Sequence, residues 1–280
     1  MPSIHSPTEK IQHSYRTSFP DDFRLLIGVM SPSWSSARRQ IIRNAYRQLP
    51  EDLPFDVVFV QANTVSFNEK NNDRVMGMYQ VAMTWENNTF HDILHLNCTE
   101  NLVEGKTYEF LRKVGSELST KYSHVMKTDD DSFVNVPGKS FVNLTDVALL
   151  QVLYEHRKQK RFYWGTTWQD GRWPAEMWGS GYILSMDLVK WISESDIPAR
   201  DQVGYEDLKV IEWMIEGGVD YHRFINISAF AGYPWPELGD YEYKQENEVR
   251  PFDRWTLVTH PLKEDFMWIE TADWYLDLEW

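Results

Sequence analysis

Short apolar runs alternate with longer amphipathic stretches through the first half of the chain. Phe23 to Met30 is apolar apart from Arg24 and reads as a buried strand. Ser31-Pro32-Ser33 ends it, and Ser35 or Ser36 caps a predicted helix running to Leu49. In that helix Ile41, Ile42, Ala45, Tyr46 and Leu49 keep helical spacing, with Arg38, Arg39, Arg43 and Arg47 around them. Pro50 to Pro54 is a loop, and Asp56 to Gln61 the next strand. A helix is predicted over Asp73 to Trp85, a strand over Ile93 to Leu96, and a helix over Lys106 to Lys121. Phe110, Leu111, Val114 and Leu118 line one face of that last helix. His124 to Lys127 is the following strand. Strands alternating with helices predict an α/β fold with a mainly parallel sheet.

The second half is less regular. Leu144 to Lys160 reads as helical and Phe162 to Gly165 as a strand. Trp164 to Gly181 is rich in Trp and Gly and reads as a loop-and-hairpin region. Leu188 to Glu194 and Asp207 to Glu216 read as helices, and residues 233–280 have no clear period. No repeat or linker splits the chain. The expected organisation is a lead-in over residues 1–22 and one domain over 23–280.

Composition narrows the partners. The chain has 280 residues, 42% hydrophobic, enough for a sizeable core. A net charge of −14 argues against nucleic acid and anionic membranes. The aromatic share of 15%, with 13 Trp, favours carbohydrate binding weakly, because most such residues pack cores. Cys98 is the single cysteine, so no intrachain disulfide forms, which by itself favours a reducing compartment. Sequons at Asn87, Asn97, Asn143 and Asn226 point the other way, to a secretory lumen. No apolar run approaches the roughly 18 residues of a membrane span, so a membrane is reached only through an anchor not present in this chain.

The chemistry centres on Asp129-Asp130-Asp131, at the predicted end of a strand. Adjacent carboxylates repel unless a cation compensates, and a hard divalent cation prefers oxygen ligands. Such a cation bridges to a diphosphate. A solvated acidic turn is the plain alternative. Arg38 and Arg43, near a helix start, suit a diphosphate, though surface arginines are common. Gly179-Ser180-Gly181 lets a ligand approach the backbone, with Trp178 and Tyr182 beside it; an ordinary bend reads the same way. Glu206-Asp207 opens a helix, where acidic residues also serve the helix dipole. Trp164 and Trp168 suit an acceptor groove or a core equally.

Four segments, in order, resemble glycosyltransferase family 31, the β-1,3-galactosyltransferase-like family. They are the Arg-rich stretch Ala37 to Tyr46, Lys127 to Asn135, Trp178 to Ser185, and Gly204 to Leu208. The likeness spans about residues 23–262 and is to a divergent, fungal-like member, since the cysteines common in animal members are missing. It implies a single GT-A type domain. It implies inverting, metal-dependent transfer of galactose or N-acetylglucosamine from a UDP-sugar to a glycan hydroxyl, β-1,3 in linkage. Asp207 is then the catalytic base. Arg38, Arg43, Lys106, Asp129, Asp130, Gly179, Ser180 and Gly181 bind the donor. Asp129, Asp131 and His260 hold Mn²⁺ or Mg²⁺, imidazole favouring Mn²⁺. Trp164, Trp168, Trp178 and Glu206 face the acceptor. The implied location is the Golgi lumen, with a cytoplasmic one kept open by the single cysteine. Two alternatives remain: an inactive carbohydrate-binding relative, and a two-carboxylate glycoside hydrolase.

Overall fold

The computed structural model describes residues 19–64, 72–137, 149–167, 177–225, 230–231 and 256–276. The chain opens with β1 (Leu25–Met30), α1 (Ser36–Tyr46), β2 (Phe55–Thr64), α2 (Asn72–Phe90), β3 (Ile93–Thr99), α3 (Lys106–Glu117) and β4 (His124–Asp129). These are the seven elements the apolar pattern predicts, with shifted ends. Then follow β5 (Phe133–Val134), α4 (Leu149–His156), β6 (Phe162–Gly165), β7 (Gly181–Ser185), α5 (Met186–Glu194), α6 (Asp196–Arg200), α7 (Glu206–Glu216) and β8 (His222–Ile225). The last elements are β9 (Phe230–Ala231), β10 (Val258–Thr259) and α8 (Asp265–Leu276).

Seven strands form one sheet in the order β3-β2-β1-β4-β7-β6-β8. The pairs β3–β2, β2–β1, β1–β4 and β6–β8 are parallel; β7 runs antiparallel to both β4 and β6. This is the expected α/β architecture with a mixed, mainly parallel sheet. A three-stranded sheet, β5-β10-β9, lies apart from it.

The side-chain period of two puts alternate residues of β1 into two cores. Leu25, Ile27 and Val29 join a core with Ile42 of α1 and Trp268 and Tyr275 of α8. Leu26 joins the other, with Phe110 and Val114 of α3, Val189 of α5 and Trp213 of α7. Both faces of β1 and β4 are thus covered, which explains the near-continuous apolar sequence of β1. Gly28 is needed for this packing: a Cβ there would stand 2.2 Å from the Phe110 ring.

The chain runs outward from β1 through β2 to β3, then returns to lay β4 on the other side of β1. The carboxyl ends of β1 and β4 therefore flank a switch point, the place where open α/β sheets bind ligands. Met30 is in register with Asp129 there. At the other end of the described chain, Phe19 stacks on Phe23 and packs edge-on against Tyr154, so ordered packing begins ahead of residue 23.

Candidate active site

β4 delivers the acidic run to the switch point. Asp129, Asp131 and His260 each offer a ligand atom, all within 4.8 Å of one another. His260 follows β10, whose pairing with β5 brings it back to the end of the acidic run. Its Nε2 lies 3.5 Å from Asp131 Oδ1. Burial holds the His260 pKa below its ordinary value, against the pull of Asp131. The neutral imidazole that results is the ligating form. Burial pushes the Asp131 carboxyl up, but His260 and Lys263 outweigh it and keep the pKa low. Two carboxylates and an imidazole form a donor set that suits a divalent cation.

Asp130 points elsewhere. It accepts a hydrogen bond from Ser31 Oγ at 3.0 Å, tying the β4 end to the loop after β1.

Asp207, in the first turn of α7, does not cap its helix. Its carboxyl pKa is raised to about 7: burial is the main cause, Glu206 and Asp129 add to it, and Lys127 and the Gly179 amide oppose it. Asp207 Oδ1 is buried with no hydrogen-bond partner among the described residues. Such an orphaned oxygen is rare in a folded chain and marks a group held for something other than packing. Gly179 lies against it; a Cβ there would fall 2.4 Å from Oδ1, so only glycine fits.

Lys127 was not among the residues singled out from the sequence. It is fully buried on β4. Its Nζ donates to Asp129 Oδ1 at 2.8 Å, to the Gly179 carbonyl at 2.9 Å and to Glu206 Oε1. Burial works against its charge, but Asp129, Glu206 and Asp207 hold its pKa above the ordinary lysine range. The signal for it was present: a lysine directly after Val125-Met126 in a predicted strand, two residues before a carboxylate run, needs buried partners. Thr107, at the start of α3, donates to the other oxygen of Glu206. Glu206 is therefore held by protein groups on both oxygens.

Several expected donor or acceptor residues are engaged elsewhere. Arg43 is almost fully buried between α1 and α2, paired with Glu86 and Asp92 and packed on the Phe59 and Phe90 rings. No guanidinium face is left for a diphosphate. Arg38 donates to the carbonyls of Leu262 and Lys263 at 2.7 and 2.9 Å and to Asp265 at 2.7 Å. It therefore anchors the segment that follows His260. Lys106 is buried on Glu100. Trp164 is a correction: it is 2% exposed, in the core, with its ring 5.4 Å from Phe230, so it faces no acceptor. Its strand is central and antiparallel to β7, which puts the indole inside the sheet's packing layer. Trp168 lies outside the described residues. Trp178 is half-buried beside the turn, and the Ser180 carbonyl accepts from Thr128 Oγ1 at 2.7 Å. Gly181 packs on Met126, where a Cβ would come within 2.8 Å of the methyl.

No protein-family model matches the chain. It is 28% identical over 147 residues to a UDP-GalNAc:β-1,3-N-acetylgalactosaminyltransferase 2 of Xenopus laevis, covering 46% of the chain and 28% of that protein. It is 28% identical over 205 residues to a hydroxyproline O-galactosyltransferase of Arabidopsis thaliana, covering 67% of the chain and 28% of that protein. The chain thus spans under a third of the length of these relatives. Among solved structures, the glycosyltransferase GlyE of Streptococcus pneumoniae aligns over 92% of the chain and 61% of its own, at 11% identity and a TM-score of 0.47. Galactosyltransferase LgtC aligns over 91% and 94%, at 12% identity and a TM-score of 0.42. The chain is thus similar in sequence to galactosyl- and N-acetylgalactosaminyltransferases, in keeping with the glycosyltransferase family 31 resemblance of its four motifs.

Proposed function

We propose that this chain is an inverting glycosyltransferase that moves a galactose-type hexose from a UDP-sugar to a glycan hydroxyl, with β-1,3 linkage. The observation that carries the reading is the meeting, at one switch point, of a cation-ligating set and a buried carboxylate with an orphaned oxygen. The likeness to β-1,3-N-acetylgalactosaminyl- and hydroxyproline O-galactosyltransferases supports the same donor class.

In this reading Asp207 Oδ1 takes the proton of the acceptor hydroxyl as that oxygen attacks the anomeric carbon. The new C–O bond forms on the face opposite the bond to the diphosphate, whose electrons leave with UDP. A pKa near 7 suits a base working near neutral pH. Asp129, Asp131 and His260 would hold a divalent cation, Mn²⁺ or Mg²⁺, whose charge would offset that on the diphosphate leaving group. Asp130 and Ser31 fix the β1 and β4 ends that flank the donor, and Glu206, held by Lys127 and Thr107, sets the start of α7. The net charge of −14 disfavours nucleic acid as a partner. The proposed location is a secretory lumen, on the strength of the sequons. No helix among the described residues is long and apolar enough to cross a membrane.

The test is UDP release from a panel of UDP-sugars with Mn²⁺, with and without oligosaccharide acceptors. Metal-dependent release stimulated by an acceptor supports the proposal. Tight metal-dependent UDP binding without turnover points to an inactive relative, and glycan cleavage without any UDP site to a hydrolase.

A further inference from the structure

Three of the four motif segments meet at one buried ammonium. Lys127 Nζ has three N–H bonds, and each goes to a different segment: Asp129 of the acidic run, the Gly179 carbonyl of the Gly-rich turn, and Glu206 of α7. β4 itself is rigid, paired with β1 on one side and β7 on the other, so the lysine's origin is fixed. The neighbouring Thr128 Oγ1 repeats the link to the turn through the Ser180 carbonyl. Asp207 sits between the two segments that Lys127 holds: it follows Glu206 directly, and Gly179 packs against its Oδ1.

We propose that Lys127 is a positioning residue for the transfer step, fixing the base-bearing turn of α7 and the Gly-rich turn relative to the cation ligand Asp129. The inference rests on the proposed transferase reading. Lys127 donates no hydrogen bond to the orphaned Asp207 oxygen; beyond the charge it places near that carboxyl, it acts through Glu206 and Gly179. A buried cation with three charged or carbonyl partners is also a structural element, so the two roles must be separated by what changes when it is removed. A structural role costs stability and lowers activity only as the folded fraction falls. A positioning role lowers turnover in chains that remain folded, because misplacing a catalytic group by about 1 Å costs on the order of 10²-fold.

The experiment uses the full chain as wild type, Lys127→Met and the double variant Lys127→Met/Glu206→Gln. The double variant neutralises the carboxylate that the single change leaves buried, and keeps the comparison open where Lys127→Met does not fold. Measured are kcat for acceptor-dependent UDP release, Mn²⁺·UDP affinity by calorimetry, and hydrogen exchange of residues 178–181 and 204–210. The expected result, in whichever variant folds, is a kcat about 10²-fold lower, a loss of Mn²⁺·UDP affinity of no more than about tenfold through the missing bond to Asp129, and faster exchange confined to those two segments. A kcat within fivefold of wild type overturns the proposal. So does a loss of kcat matched by an equal loss of Mn²⁺·UDP affinity, or exchange unchanged in both segments. A wild-type chain that releases UDP from no UDP-sugar overturns the transferase reading itself, a failure visible before any variant is compared.

Discussion

Arg38→Met separates two roles for an arginine that the sequence assigned to the donor. The side chain is about 10% exposed and makes three short bonds, to the carbonyls of Leu262 and Lys263 and to Asp265. The Asp265 partner is half exposed, so that pair contributes under about 1 kcal/mol. Each carbonyl bond to a charged donor contributes roughly 1.5–3 kcal/mol, less where water replaces the lost donor. A net loss of about 2–4 kcal/mol follows. Methionine keeps most of the stem's packing, so the loss reports on the bonds. The anchored segment begins just after His260 and carries Lys263, both partners of Asp131. Loosening it should weaken metal binding in the way that outer-shell changes do, by about 10–100-fold. Urea unfolding at constant m gives the first quantity, and Mn²⁺ titration without nucleotide the second. Unchanged stability and unchanged Mn²⁺ affinity, with a selective loss of UDP affinity, would refute the anchoring role and restore Arg38 as a donor ligand.

Acceptor-dependent transfer should rise with pH through an apparent pKa near 7, because Asp207 acts only when ionised. Asp207→Asn should remove that limb and lower the rate by roughly 10²–10⁴; a retained limb at near wild-type rate rules Asp207 out. Gly179→Ala places a Cβ 2.4 Å from Asp207 Oδ1. It should cost about 1–3 kcal/mol in unfolding and about 10²-fold in transfer, and transfer within threefold of wild type contradicts the close approach. Asp56 is pushed up by burial, but Arg24 and Tyr122 outweigh this and hold its pKa at about 2, below the ordinary 3.8. A lowered carboxyl adds stability above its unfolded pKa and loses it as pH falls through the folded one. Asp56→Asn should therefore cost about 1 kcal/mol at pH 7 and progressively less as pH falls from about 4 through about 2, as thermal melts across that range will report.

The part of the fold that was legible is the part built on local periodicity. β1 is apolar on both faces because both are covered, and that leaves a continuous run in the sequence. The cation set was legible in two ways: Asp129 and Asp131 stand in one carboxylate run, whereas His260, brought to them by the β5–β10 pairing, was legible only through the family resemblance. α8 was missed because Met267, Trp268, Ala272 and Tyr275 are buried among acidic and further aromatic residues, which blurs any single stripe. The arginines show the limit most clearly. Nothing local to Arg43 tells a diphosphate from Glu86 and Asp92, which lie more than forty residues away and are brought to it by α2. Trp164 failed likewise, since an indole suits a sugar face and a core equally well until the strand's neighbours are known.

The central claim is that Asp129, Asp131 and His260 hold the cation through which a UDP-sugar is bound. Calorimetry of Mn²⁺·UDP binding to wild type and Asp131→Ala tests it most directly. Loss of a ligated charge is worth at least about 1.4 kcal/mol, so the variant should bind tenfold more weakly or worse. Equal affinity in the two proteins would contradict the site.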